Sequence, residues 1–69
     1  MFYSVYIGKY PTANIPKKDR DRISALGMTP YIFRVADGYS IRIASFPSRE
    51  KAENAVKILV QKGFEAYCV

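Results

Sequence analysis

The chain has 69 residues, enough for one domain with one core, and a domain of this size buries only about 60% of the surface its unfolded chain exposes. Its composition is 49% hydrophobic and 25% charged, with six Tyr and four Phe, ordinary for a globular protein and without a signature of disorder. The net charge of +5 gathers around Lys17, Lys18, Arg20 and Arg22, where it suits either a solvated helix face or attraction to an anionic polymer such as nucleic acid, acidic lipid headgroups or wall polymer.

No apolar run approaches the roughly 20 residues that cross a bilayer, and the N-terminus lacks the apolar segment of a secretory signal. Cys68 is the only cysteine and there is no histidine, so neither a disulfide nor a metal or cofactor is expected.

Along the chain, Tyr3–Gly8 alternates as a strand should, with Tyr3, Val5 and Ile7 on one face and Ser4, Tyr6 and Gly8 on the other. Tyr10-Pro11-Thr12 is read as the break after it. A first helix is expected to start near Pro16 and to close at Gly27, with Met28 packing back on Ile23. Its apolar stripe of Ile15, Ile23 and Leu26 is interrupted by Asp19 and Arg22. Thr29–Val35 reads as a second strand, and Asp37-Gly38 as the turn of a hairpin.

The third strand, Tyr39–Ala44, alternates like the first: Tyr39, Ile41 and Ile43 inward, Ser40, Arg42 and Ala44 outward. Ser48 suits the N-cap of a second helix, and Glu50 complements its dipole. Ala52, Ala55, Val56, Leu59 and Val60 recur at helical spacing and make a core-facing stripe. Gly63 closes that helix, with Phe64 packing back on Leu59, and Glu65–Val69 is the last strand.

The two halves match each other. Sliding the chain by 36 residues superposes residues 3–33 on 39–69 without a gap, with Tyr3/Tyr39, Ser4/Ser40, Ile7/Ile43, Pro11/Pro47, Gly27/Gly63 and Tyr31/Tyr67 identical. A fixed-period match of this kind marks a supersecondary unit written twice. The expected fold is a single α/β domain over residues 1–69, an α+β sandwich of ferredoxin-like or RNP-like βαββαβ order. Both helices would cover one face of a four-stranded antiparallel sheet, with the first and third strands central and each crossover right-handed.

No sequence remains to cover the other face. The central strands would present Ser4, Tyr6, Ser40 and Arg42 there. If Met28, Pro30 and Ile32 point inward together with Phe64, Ala66 and Cys68, then Tyr31, Phe33, Tyr67 and Val69 point outward and complete an aromatic floor around one guanidinium. Aromatic rings with polar tips suit a ligand with both apolar and polar sides.

The tandem pattern YSVYIGKY…G and YSIRIASFPSREKAENAVKILVQKGFEAY resembles the sporulation-related repeat (SPOR) domain over essentially the whole chain. The resemblance implies a module that binds peptidoglycan glycan strands freed of their stem peptides, at division septa or in spore walls, through the open sheet face. It implies a cell-envelope location, periplasm or outer wall, and fusion to a wall hydrolase or a membrane-anchored division protein. The first-strand position that is often Gln in the family falls on Tyr6, and its third-strand partner falls on Arg42. Ala44 stands where the family often has Gly. The first helix carries Pro16 and charges in place of alanines and leucines, which points to a drifted first repeat or to a helix facing something in a larger assembly. The expected glycan-binding residues are Ser4, Tyr6, Tyr31, Ser40, Arg42 and Tyr67.

Two rival readings remain. Val5-Tyr6-Ile7-Gly8 resembles the first-strand signature of RNA-recognition motifs, whose aromatic stacks on a base, and the basic excess agrees with single-stranded RNA binding. Against it, Asp37-Gly38-Tyr39-Ser40-Ile41 lacks the leading base and second aromatic of the companion signature, and Tyr39 falls on the core side. The other rival is a small structural or oligomerisation domain using the same face. Enzymatic activity is not expected, because none of the carboxylates is paired with a base or nucleophile.

Overall fold

A computed structural model describes residues 1–27 and 31–69. Six elements follow in the predicted order: β1 (Tyr3–Tyr10), α1 (Lys17–Ser24), β2 (Tyr31–Val35), β3 (Gly38–Phe46), α2 (Arg49–Gln61) and β4 (Ala66–Cys68). The strands form one four-stranded antiparallel sheet in the order β2-β3-β1-β4, so the first and third strands are central. This is an α+β architecture compatible with a ferredoxin-like arrangement.

Val5, Ile7, Ile41 and Ile43 of the central strands share one buried cluster with Ile15, Ile23, Ala52, Leu59 and Phe64. The helices therefore lie on the same side of the sheet. Among the described residues, nothing packs on the other side.

The two central strands are not paired in one unbroken register. From Tyr3↔Phe46 to Val5↔Ala44 the partners run evenly, and then Tyr6 faces Arg42, leaving Ile43 as an extra residue on β3. Inserting one residue in a strand shifts the alternation beyond it. The expected outward position of Ala44 is thereby overturned. Ala44 and Phe46 pack toward the core, and Ser45 takes the outward position beside Ser4.

A second irregularity extends β1. The register passes from Ile7↔Ile41 to Tyr10↔Tyr39, so Gly8 and Lys9 together oppose Ser40. Gly8 sits at φ 66°, the left-handed conformation that begins this type of bulge and that glycine alone adopts without strain. The strand resumes and ends at Tyr10, at the Tyr10-Pro11-Thr12 break that the sequence suggested. The bulge also turns Tyr10 inward, against the core.

The hairpin pairs Val35 with Gly38, so its loop residues are Ala36 and Asp37 and the turn lies one residue earlier than expected. Gly38 opens β3 where a Cβ would collide with the Tyr10 carbonyl oxygen.

α2 ends as the sequence predicts. Gly63 N–H donates to Val60 C=O at 3.0 Å and Phe64 N–H to Leu59 C=O at 3.0 Å, the Schellman pairing. At its other end Ser48 holds the N-cap position without a side-chain capping bond. The stripe of α2 is narrower than expected: Ala52 and Leu59 are buried, Ala55 and Val56 half-buried, and Val60 exposed. α1 follows Pro16 as expected but ends at Ser24 with Ala25 as its C-cap, short of the expected close at Gly27, whose N–H donates to Ser24 C=O in the turn beyond. The expected Met28 contact with Ile23, the inward placement of Met28 and Pro30, and the start of the second strand at Thr29 all lie outside the described residues.

The charges that interrupt the α1 stripe are used inside the molecule. The Tyr10 hydroxyl donates to the Asp19 carboxylate at 3.1 Å, and Asp19 faces Arg22 at 3.9 Å. The Arg22 guanidinium lies 4.3 Å over the Phe64 ring and donates to the Lys62 carbonyl at 2.9 Å. That carbonyl is one of the last of α2, at the negative end of its dipole. One chain of contacts thus fastens β1, α1 and the end of α2, on an eight-residue helix with little apolar surface of its own.

Candidate functional site

The candidate site is the uncovered face of the sheet. β2 and β4 pair with the central strands so that Tyr31 lies beside Arg42, Phe33 beside Ser40, and Tyr67 beside Tyr6. Cross-strand partners share a face. Tyr31, Phe33 and Tyr67 therefore point outward with Tyr6 and Arg42, as the alternation of the outer strands suggested. Val69, bonded to Ser4 through both backbone groups at 2.9 and 3.1 Å, joins them at the β4 edge.

The rings interlock and do not lie as a flat floor. Tyr6 and Tyr67 are stacked, with centroids 5.4 Å apart and planes 18° from parallel, so one face of each ring is covered. On the other side Tyr6 meets Phe33 nearly perpendicularly at 6.3 Å, and Phe33 meets Tyr31 at 5.8 Å. The Arg42 guanidinium stands 4.6 Å over Phe33 and 5.9 Å from Tyr31. Such contacts contribute about 0.5–1.5 kcal/mol per aromatic pair and about 0.5–1 kcal/mol per exposed cation–π contact. They also restrain the side chains that take part. Tyr31 is 62% exposed and Tyr67 38%, which makes them the most exposed aromatics of this face.

Of the six expected site residues, Ser4, Tyr6, Tyr31, Arg42 and Tyr67 present accessible groups on this face. Ser40 is on it too but is fully buried. Its hydroxyl lies 2.8 Å from the Gly8 carbonyl and 2.7 Å from the Tyr67 hydroxyl. Having one proton, Ser40 donates to Gly8 C=O and accepts from Tyr67, whose phenol reaches across β1 to do so. Ser40 therefore positions Tyr67 and has no free polar group for a ligand.

Two residues join the site that were not among those expected. Phe33 was legible as outward-facing from the alternation of its strand. Ser45, whose hydroxyl lies 3.0 Å from that of Ser4, was not, because the extra residue at Ile43 leaves no local mark in the sequence. At its hairpin end the face opens into a recess of about 370 Å³ bordered by Lys9, Asp37, Glu65 and Tyr67, with Lys9 and Asp37 paired at 3.4 Å.

Comparison of the chain with protein-family models, with curated proteins and with solved structures gives no match. No helix among the described residues is long and apolar enough to cross a membrane.

Proposed function

We propose that this chain is a non-catalytic binding module for peptidoglycan glycan strands freed of their stem peptides, of the SPOR type, acting in the cell envelope at septa or spore walls. The observation that carries the reading is the uncovered sheet face, where interlocked aromatics surround Arg42 and a pair of serine hydroxyls. Pyranose rings present apolar C–H faces and polar rims together. Tyr31 and Tyr67 suit the former, and Arg42, Ser4 and Ser45 suit the hydroxyl and acetamido groups of the latter.

The proposed repeat is in keeping with the same reading. Tyr31 and Tyr67, 36 residues apart, both face outward from the outer strands, and Gly27 and Gly63 follow the two helices at φ 74° and 90°. A ferredoxin-like fold built from two such units is the arrangement proposed. A fused wall hydrolase or membrane-anchored division protein is the proposed context.

Glycan is preferred to single-stranded RNA because Tyr39, the third-strand aromatic that an RNA face would need outward, pairs with the core-packed Tyr10. The test is sedimentation of the protein with peptidoglycan before and after amidase treatment. Enrichment on the stripped wall is expected, with loss in the Tyr6→Ala/Arg42→Ala double variant. Absence of enrichment, or undiminished binding by a folded double variant, defeats the proposal.

A further inference from the structure

Resting on the glycan reading above, we infer that the open face selects an acidic saccharide, with the Arg42 guanidinium taking a carboxylate of the bound sugar. Among the described residues none of the six Asp and Glu side chains forms an ion pair with Arg42. Asp19 and Asp21 are on α1, and Glu50 and Glu53 on α2, across the sheet. Asp37 and Glu65 border the recess at the hairpin end, where Lys9 pairs with Asp37. Lys9, Lys17, Arg22 and Arg49 each stand within 3.9 Å of a carboxylate. Among the described residues Arg42 has no such partner, and Met28, Thr29 and Pro30 carry no carboxylate.

Arg42 is nevertheless held in place. Its backbone is paired on both sides, with Tyr6 and Tyr31, and its guanidinium lies 4.6 Å over the Phe33 ring. A ring beneath a guanidinium accepts none of its N–H groups in a conventional hydrogen bond, and Arg42 has no side-chain partner for them among the described residues, so its donors suit a planar, bidentate anion. Because aromatic contacts already restrain the side chain, little rotamer freedom remains to be lost on binding. A carboxylate-bearing sugar supplies the missing charge, and the Ser4–Ser45 hydroxyl pair offers neutral hydrogen bonds on the same face.

Peptidoglycan chemistry makes this distinction concrete. Hydrolysis of the amide that attaches a stem peptide leaves a free lactyl carboxylate on the sugar, whereas the intact strand carries a neutral amide there.

The experiment titrates the full chain with three soluble ligands of matched length. These are stem-peptide-free peptidoglycan oligosaccharides, the same oligosaccharides with carboxylates converted to methylamides, and neutral chito-oligosaccharides. The expected result is roughly tenfold or greater weakening for both neutral ligands, equivalent to about 1.4 kcal/mol. Arg42→Gln should bind all three alike, and Arg42→Lys should keep part of the preference, which a purely packing role would not predict. Equal affinity of the wild-type chain for acidic and neutral ligands overturns the inference and leaves the glycan reading standing. No binding to any of the three overturns both. An undiminished acidic preference in Arg42→Gln also overturns the inference. If Arg42→Gln does not fold, as thermal unfolding will show, the wild-type ligand series and Arg42→Lys decide the matter.

Discussion

Replacing Ser40 by alanine tests whether a buried hydroxyl, and not a ligand contact, is the role of this residue. The substitution removes the Ser40 bond to the Gly8 carbonyl at 2.8 Å, with its weaker branch to the Ile7 carbonyl at 3.4 Å, and the bond from Tyr67 to Ser40 at 2.7 Å. Each contributes a net ~1 kcal/mol, so Ser40→Ala should cost about 2 kcal/mol. Tyr67→Phe removes only the second bond and leaves the ring stacked on Tyr6, so it should cost about 1 kcal/mol. In the double variant that second bond is lost once and not twice, giving a total of about 2 kcal/mol and a coupling of about 1 kcal/mol. Urea unfolding followed by circular dichroism measures all four proteins. In a domain of this size each kcal/mol should also move Tm by roughly 4–8 °C. Additive losses, with coupling below about 0.3 kcal/mol, would refute the bonded network. Glycan binding adds a second check, because Tyr67→Phe keeps the ring and should leave affinity within about twofold, roughly 0.4 kcal/mol.

Arg22→Met should destabilise by about 2 kcal/mol, through loss of the bond to the Lys62 carbonyl and of the charge over Phe64, with Arg22→Lys recovering less than half in denaturant titration. Gly8→Ala should cost about 2 kcal/mol, because alanine is strained at φ 66° and its Cβ would lie 2.7 Å from the Tyr10 ring; an unchanged urea midpoint would disprove the bulge. Burial, reinforced by the hydrogen bond to Asp19 and its charge, raises the Tyr10 phenol from 10.0 to about 12. Since the raised value belongs to the folded state, the stabilisation is complete below pH 10 and lost as the pH climbs toward 12. Asp19→Asn should therefore bring Tyr10 titration, followed by ultraviolet absorbance, toward 10; no movement would exclude the Asp19 contact.

The sequence by itself determined the element order, the type of each element, the antiparallel sheet with central first and third strands, and most of its inward and outward residues. Those features follow from local periodicity, turn residues and the glycine that closes α2, each of which acts within a few positions. Tertiary structure decided the rest. The displaced register at Ile43 put Ser45 beside Ser4 and sent Ala44 inward, because pairing depends on the partner strand and leaves no mark in either strand alone. The bulge at Gly8 turned Tyr10 inward, and Asp19 and Arg22 found partners on β1 and at the end of α2, so charges that looked like faults in a stripe became the fastening of α1. Ser40 shows the same limit from the other side. Alternation places it on the open face, but only a phenol arriving from β4 across the intervening strand closes it off from solvent.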